Sequence, residues 1–165
     1  MDANIVIATV AILFSVVTYI HSRRIELAWK RTEFLLAQSW LFDNDQDIVE
    51  MVSILNERHN EVKVPALFDE SLLDKDKRNE YLRKMDKLLD FLWRICFAYL
   101  VTKTISKKEV EGWGWYFWRI AYYPILMEYC DNGYEEINIT IKKFGYIEEL
   151  KKEKEANRPS EATSQ

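Results

Sequence analysis

The chain begins with a long apolar run. Residues 3–20 carry no charged side chain, and residues 5–20 are almost all aliphatic. A helix over residues 3–20 is about 27 Å long, which is close to the hydrocarbon thickness of about 30 Å of a lipid bilayer. Because lipid offers the backbone no hydrogen-bond partner, such a segment has to be helical. The pattern predicts a transmembrane anchor over residues 1–22.

Charged residues flank this run unequally. Only Asp2 precedes it, whereas four basic residues follow it: Arg23, Arg24, Lys30 and Arg31. Positive charge close to a span favours the cytoplasmic side of a membrane. We therefore expect a single-pass protein of the inner (cytoplasmic) membrane, with its N-terminus outside and everything after residue 23 in the cytoplasm.

Two other interpretations of the apolar run are open. A cleaved signal peptide carries its basic residues before the apolar segment and small residues at its cleavage site, a pattern that this sequence does not follow. A core helix of a soluble bundle can be equally apolar, but the unequal charge on the two sides favours a span. We expect the helix to remain uncleaved and to cross the lipid once.

Helical spacing of apolar residues continues beyond the anchor. It extends the first helix to about residue 42, and the turn at residues 42–45 offers capping side chains. A short amphipathic helix then ends near residue 59, and Pro65 favours an extended backbone at residues 62–65. A longer stripe follows in steps of four and three residues, typical of a helix that packs on other helices. It comprises Tyr81, Met85, Leu88, Leu92, Ile95 and Tyr99.

The last third of the chain predicts further helices. A capping box at residues 106–109 opens a helix over residues 107–131, and Pro124 should kink it. A short helix is expected to end at Gly145. Residues 146–165 should form a charged helix followed by a disordered tail.

These elements together predict an all-α protein. The N-terminal transmembrane helix, residues 1–22, continues into a cytoplasmic helical bundle of four to five helices over residues 23–145. A bundle of this length can bury a core of its own.

The inventory of reactive side chains is small. The chain holds two His and two Cys. It lacks the patterns of a phosphate-binding glycine loop, a nucleophile elbow and a zinc-binding helix. A net charge of −4 argues against nucleic-acid binding through bulk charge. Cys96 and Cys130 lie on apolar faces, so we expect buried, reduced thiols. We expect no enzyme activity, no cofactor and no metal.

Aromatic residues are concentrated in residues 113–129, which hold eight of them. One buried stripe would not need so many. The segment could be a central helix contacted on all sides, an exposed patch for a partner or for self-association, or a surface that touches the membrane. The candidate partner-binding face comprises Trp113, Trp115, Tyr116, Trp118, Tyr122 and Tyr123.

Three charged residues are expected to form structural ion pairs. Asp90 and Arg94 have the spacing and the order that favour a pair on one helix. Arg119 lies among aromatic residues, where it could stack on a ring or bind an anionic group. A buried charge requires a partner, so we expect a carboxylate such as Asp90 to pair with Arg119 across the bundle.

Several segments follow the N-terminal span in a recognisable order. They are the basic helical run 23–36, the aspartate-rich turn 42–45, the helix 88–100, and the segment 105–110 followed by the aromatic helix with Trp118. This order resembles a domain-of-unknown-function family of small, single-pass, all-helical proteins of bacteria and their phages and prophages. The resemblance covers roughly residues 1–145. It implies the helical topology and brings no activity or site residue with it.

The preferred hypothesis is a non-enzymatic interaction or regulatory module that presents a binding surface at the cytoplasmic face of the membrane. Its partner would be a protein or a second copy of the chain. The alternative is a membrane effector, such as a phage-exclusion or host-defence protein, that acts on the bilayer or on an inner-membrane complex. An enzyme on a lipid-linked substrate is a third hypothesis, and it would need Asp90, Arg94 and Arg119 to converge in one pocket.

Overall fold

The computed structural model describes residues 3–156, with side chains from residue 5 onward. Every regular element in that range is a helix, which confirms the predicted all-α class. The tail expected to be disordered, residues 157–165, lies outside the described residues. The helices are α1 (Ala3–Asn44), α2 (Gln46–Leu55), α3 (Val64–Phe68), α4 (Lys75–Leu100), α5 (Lys107–Glu111), α6 (Gly114–Tyr122), α7 (Pro124–Cys130), α8 (Glu135–Phe144) and α9 (Tyr146–Ala156).

The chain divides into two compact units, one ending at Trp40 and the other beginning at Leu41. Within the described residues, the first unit is α1 up to Trp40, and the last four residues of α1 belong to the second unit. α1 runs without a break through residue 22, where the predicted anchor ends, so helix geometry marks no boundary there. The division into an anchor, a bundle and a tail at residues 22 and 145 stays a prediction.

The N-terminal part of α1 is long and apolar enough to cross a membrane, and no other described helix meets this criterion. Large apolar side chains are exposed throughout this segment. The hydroxyl groups of Thr9, Ser15 and Thr18 each donate to the carbonyl oxygen four residues earlier, at 2.8–2.9 Å. These hydroxyls are therefore satisfied inside the helix and need no partner from the surroundings.

The second unit is built around α4. The predicted stripe on α4 is buried from Tyr81 to Ile95, and Tyr99 is half-buried. α2 and α8 both pack on α4. These two helices contribute aliphatic side chains without solvent exposure: Ile48, Met51, Ile54, Leu55, Ile137 and Ile141. Removal of this apolar surface from water is the main term that stabilises the unit.

Capping side chains and one glycine mark several helix ends. Asp45 and Asp74 each accept hydrogen bonds from backbone N–H groups in the first turns of α2 and α4. The capping box of Ser106 and Glu109 opens α5. Gly145 ends α8 with a left-handed φ of 77°. These side chains satisfy N–H groups that a helix start leaves without an internal partner, and the glycine accepts a conformation that other residues avoid.

The prediction of an extended backbone over residues 62–65 is wrong for residues 64 and 65, which are helical. The backbone is extended at Lys63, with φ −119° and ψ 155°, and α3 begins at the next residue. Pro65 lies in the first turn of α3. Proline is tolerated there because the first turn has no internal acceptor for its missing N–H.

The single kinked helix predicted over residues 107–131 is three helices. The chain turns between α5 and α6 at Gly112, and α6 ends before Tyr123. Tyr123 is extended, with φ −105° and ψ 102°, the conformation favoured directly before Pro124. The proline therefore separates two helices instead of kinking one, and the second unit has more and shorter helices than expected.

Candidate functional site

α6 carries most of the predicted aromatic face, and α9 packs against α6 close to a buried glycine. Gly114, its first residue, is buried. A Cβ at this position would collide with the phenol oxygen of Tyr146, at the start of α9. The missing side chain therefore leaves room for the Tyr146 hydroxyl where α9 packs against α6. Burial raises the pKa of Tyr146.

Two residues of the predicted face belong to an inner aromatic cluster. The rings of Trp113 and Tyr116 lie 5.1 and 5.0 Å from the ring of Phe42, and Trp113 lies 5.0 Å from Phe91. These contacts are edge-on, the arrangement that ring quadrupoles favour. Trp113 and Tyr116 are half-buried and Phe91 is buried. The two predicted residues therefore serve the packing of the second unit.

The other four residues of the predicted face surround one guanidinium. The central carbon of the Arg119 guanidinium lies 5.8, 5.9, 5.2 and 5.3 Å from the ring centroids of Trp115, Trp118, Tyr122 and Tyr123. All four distances are within the range of about 6 Å for cation–π attraction. Trp115 and Tyr122 are exposed. We call Arg119 and these four rings the Arg119 patch.

Arg119 also completes the C-terminal end of α2. Beyond Leu55, the last residue of α2, the N–H groups of Glu57 and Arg58 donate to carbonyl groups of the last turn, at 3.0 and 2.9 Å. This is the Schellman arrangement. The carbonyl oxygen of Leu55 accepts a hydrogen bond from Nε of Arg119 at 2.6 Å, and another from Nη2. A cation at this position also meets the negative end of the helix dipole.

Glu57 closes the polar side of the patch. It has a positive φ of 58°, a left-handed conformation that L residues other than Asn and Asp rarely adopt. Its carboxylate accepts from the hydroxyl of Tyr123 at 2.7 Å and from Nη2 of Arg119 at 3.0 Å, and Nη2 also donates to the Tyr123 oxygen at 3.1 Å. The three side chains form a closed triangle that fixes the guanidinium.

This triangle shifts the pKa of two of its members. The hydrogen bond from Tyr123, and then the one from Arg119, lower the pKa of Glu57. Burial, together with the bond to the carboxylate, raises the pKa of Tyr123 to about 12. At neutral pH the site therefore holds a carboxylate, a guanidinium and a neutral phenol.

Arg119 pairs with a carboxylate, as predicted, but the partner is Glu57 and not Asp90. Asp90 pairs with Arg94 on α4 at 2.6 Å, as their spacing predicts. Arg119 bonds to Glu57, 62 residues earlier in the chain. Asp90 and Arg94 therefore bond to each other, whereas the hydrogen bonds of Arg119 go to Leu55, Glu57 and Tyr123. Sequence reasoning missed Glu57 because no periodicity connects residues that far apart.

Two further polar clusters were not predicted. Lys84 bonds to the carboxylates of Glu50 and Glu80 at 2.8 and 2.6 Å, and these bonds raise its pKa. The hydroxyl of Tyr129 donates to Asp86 at 2.7 Å. The bonds to Glu50 and from Tyr129 join α4 to α2 and α7, so we interpret both clusters as structural.

The four basic residues expected to orient the protein lie on α1 directly after the apolar segment. Glu26 bonds to Arg23 at 2.8 Å and to Lys30 at 2.6 Å. Arg24 is exposed and Arg31 is half-buried. The bridge neutralises part of the local charge but leaves a basic excess at this end of the apolar segment.

Both cysteines are buried, as predicted. Burial raises the pKa of Cys96 and of Cys130 to about 12. Because the thiolate is the reactive form, neither sulfur is poised to react in the folded protein. Among residues 3–156, no three His, Cys, Asp or Glu side chains cluster as metal ligands would.

A comparison of the chain with protein-family models, with curated proteins and with solved structures finds no match. The resemblance to a family of single-pass helical proteins therefore stays a prediction. The geometry of α1 and of the Arg119 patch carries the functional argument.

Proposed function

We propose that the protein is a membrane-anchored, non-enzymatic interaction module. α1 is long and apolar enough to span a membrane, and four basic residues follow its apolar segment. Basic residues at one end of a span favour the cytoplasmic side. This supports an N-terminus outside the inner membrane and a helical unit at its cytoplasmic face. The resemblance to single-pass helical proteins of bacteria and phages supports the same topology.

The Arg119 patch is the surface that we assign to partner binding. The observation that carries the assignment is that two solvent-exposed rings lie against a mostly buried guanidinium whose Nε and Nη2 groups are hydrogen-bonded within the protein. Trp115 and Tyr122 keep 44% and 37% of their surface exposed, whereas Arg119 keeps only 11% of its side chain exposed. Rigid aromatic groups bury a large area at low entropic cost. Trp, Tyr and Arg are the residue types most enriched in binding hot spots.

Attachment to the membrane makes a small surface sufficient. A tethered chain meets a membrane-associated partner at a raised effective concentration, so a modest affinity produces a populated complex. The partner is a protein at the same membrane or a second copy of the chain.

Crosslinking in membranes from cells that express the full chain tests this assignment. Trp115→Ala and Tyr122→Ala should each reduce the yield of the same adduct several-fold, because each removes an exposed ring of the patch. Ile139→Ala is the matched control, since Ile139 is 50% exposed and lies outside the patch on α8. An adduct that survives both patch variants, or that Ile139→Ala weakens equally, contradicts the assignment.

The same patch variants separate protein binding from action on the bilayer. Purified protein that makes liposomes leak, with leakage abolished by Trp115→Ala and Trp118→Ala, would identify the patch as lipid-active. The protein would then be a membrane effector, and the interaction module would be the wrong function.

A further inference from the structure

The part of α1 that follows the predicted span carries an apolar stripe on its surface. Ile25, Trp29 and Leu36 are exposed at 46%, 72% and 66%. Ile25 and Trp29, together with Ala28 and Thr32, line a shallow apolar groove. A contiguous apolar surface on a helix outside lipid marks an interaction site.

The stripe has the register of a coiled coil. Ser22, Ile25, Trp29, Thr32 and Leu36 follow one another in steps of three, four, three and four residues. These positions share one side of a helix, and the alternation is the one at which two helices insert side chains between each other. The stripe therefore fits a second helix that lies alongside it.

The charges around the stripe suit a parallel copy of the same helix. The four basic residues all fall on the flank away from the seam: Arg23, Arg24, Lys30 and Arg31. In a parallel pair, Glu26 of one copy faces His21 of the other, and Glu33 faces Ala28. No like charges oppose one another across the seam, so nothing electrostatic prevents self-pairing.

The predicted span fixes the height and direction of the stripe, and this step rests on the proposed membrane anchor. α1 continues from the span without a break. Leu36 therefore lies about 21 Å along the helix axis from Ser22, beyond the reach of lipid. Two anchored copies present the same residues at the same height and in the same direction, which favours pairing in register.

The same register continues into the apolar segment with small side chains: Ala8, Ala11, Ser15 and Thr18. Small residues allow two helices in lipid to approach closely. They do not define an interface on their own. Their place in the same register means that the span presents no bulk that would hold the stripes apart.

We propose that two copies of the chain pair in parallel along this stripe, with Trp29, Thr32 and Leu36 of one copy packed against the same residues of the other. Each pair then carries two Arg119 patches. A partner with two binding sites would gain avidity from the pair that a single chain cannot provide.

Cysteine crosslinking in membranes tests the pairing. Leu36→Cys places a thiol on the seam, and Leu27→Cys is the matched control on the opposite side of the same helix, where Leu27 is 53% exposed. The natural thiols of Cys96 and Cys130 are buried and do not interfere. After mild oxidation, the Leu36→Cys chain should form disulfide-linked homodimers at several-fold higher yield than the Leu27→Cys chain, because seam positions of a parallel pair face each other.

A charge placed on the seam provides a second measurement. Leu36→Asp brings two carboxylates together in the pair, so it should lower the crosslinking of a Trp29→Cys chain several-fold. Leu27→Asp makes the same change on the opposite side and should leave the yield unaltered. Equal effects of the two substitutions contradict the proposal.

The outcomes distinguish the pairing from the anchor. A chain that sediments with membranes but crosslinks equally, or not at all, through both thiols has its anchor but no paired stripe. An adduct with a different protein overturns the pairing. The pairing is also overturned if a hydrophilic maleimide labels the Leu36→Cys chain only after detergent is added, because lipid then covers the stripe. A chain found in the soluble fraction overturns the anchor, and the parallel arrangement with it.

Discussion

The substitution Arg119→Met tests whether one guanidinium holds α2 and α6 together. Methionine keeps an apolar stem of similar length and removes the charge. The variant loses the hydrogen bonds to the carbonyl of Leu55 and to the carboxylate of Glu57, along with the attraction to four rings. It leaves the Leu55 carbonyl without its side-chain donor and the Glu57 carboxylate without its cation.

The expected loss follows from these contacts. A hydrogen bond that involves a charged group contributes about 1.5–3 kcal/mol, and a cation–π contact near the surface about 0.5–1 kcal/mol. One guanidinium makes all of these contacts, so their contributions are not additive, and we expect a loss of about 3 kcal/mol. In a domain of this size a loss of that order lowers the Tm by about 10 °C.

Thermal unfolding of the full chain in detergent measures the effect. Near-ultraviolet circular dichroism is the suitable signal, because most aromatic residues lie in the second unit. Arg94→Met is the matched control, since it makes the same chemical change in an ion pair with Asp90 that is about half exposed. Such pairs contribute about 0–1 kcal/mol. A Tm loss for Arg119→Met no greater than that for Arg94→Met would refute the proposed role of the guanidinium.

Three further substitutions or treatments test other parts of the second unit. The folded pKa of Glu57 lies below its ordinary value of 4.5. The stabilising contribution of its carboxylate is therefore present above that value and is lost as the pH falls through the lower folded pKa. The difference in urea stability between wild type and Glu57→Gln should close at acid pH, and a difference independent of pH contradicts this. Gly114→Ala should lower the Tm because its Cβ meets the Tyr146 hydroxyl, and addition of Tyr146→Phe should restore part of the loss; no recovery means that the strain lies elsewhere. Cys96 and Cys130 should react with a thiol reagent only as fast as the unit unfolds, so rapid labelling of the native protein would show that burial does not protect them.

Most helices are predictable because their signals are local. The apolar segment of α1, the stripe on α4 and the capping residues Asp45 and Asp74 each depend on side chains within a few turns of one another. Such patterns determine which residues are helical and which side of a helix is buried.

The connections between elements are less predictable, because they depend on packing that brings distant residues together. Pro124 reliably disturbs a helix, but whether the helix bends or ends depends on what the flanking turns contact. The partner of Arg119 illustrates the same limit. A carboxylate was required, but the choice of Glu57 over Asp90 follows from the Schellman turn that closes α2 and presents Glu57 to α6.

The excess of aromatic residues in residues 113–129 divides into two groups once their contacts are known. Five of the eight are buried, pack in the inner cluster or donate a hydroxyl to a carboxylate: Trp113, Tyr116, Phe117, Tyr123 and Tyr129. The remaining three are Trp115, Trp118 and Tyr122, and the packing of the second unit does not explain why their rings lie at the surface. Trp115 and Tyr122 are exposed, and Trp118 stacks on Tyr122 at 5.7 Å. Because Arg119 is hydrogen-bonded to the end of α2, these rings keep a fixed arrangement without a partner. Binding of a partner over them would therefore cost little entropy for ordering the rings. That preorganisation, more than the number of aromatic residues, is the argument that the surface binds another molecule.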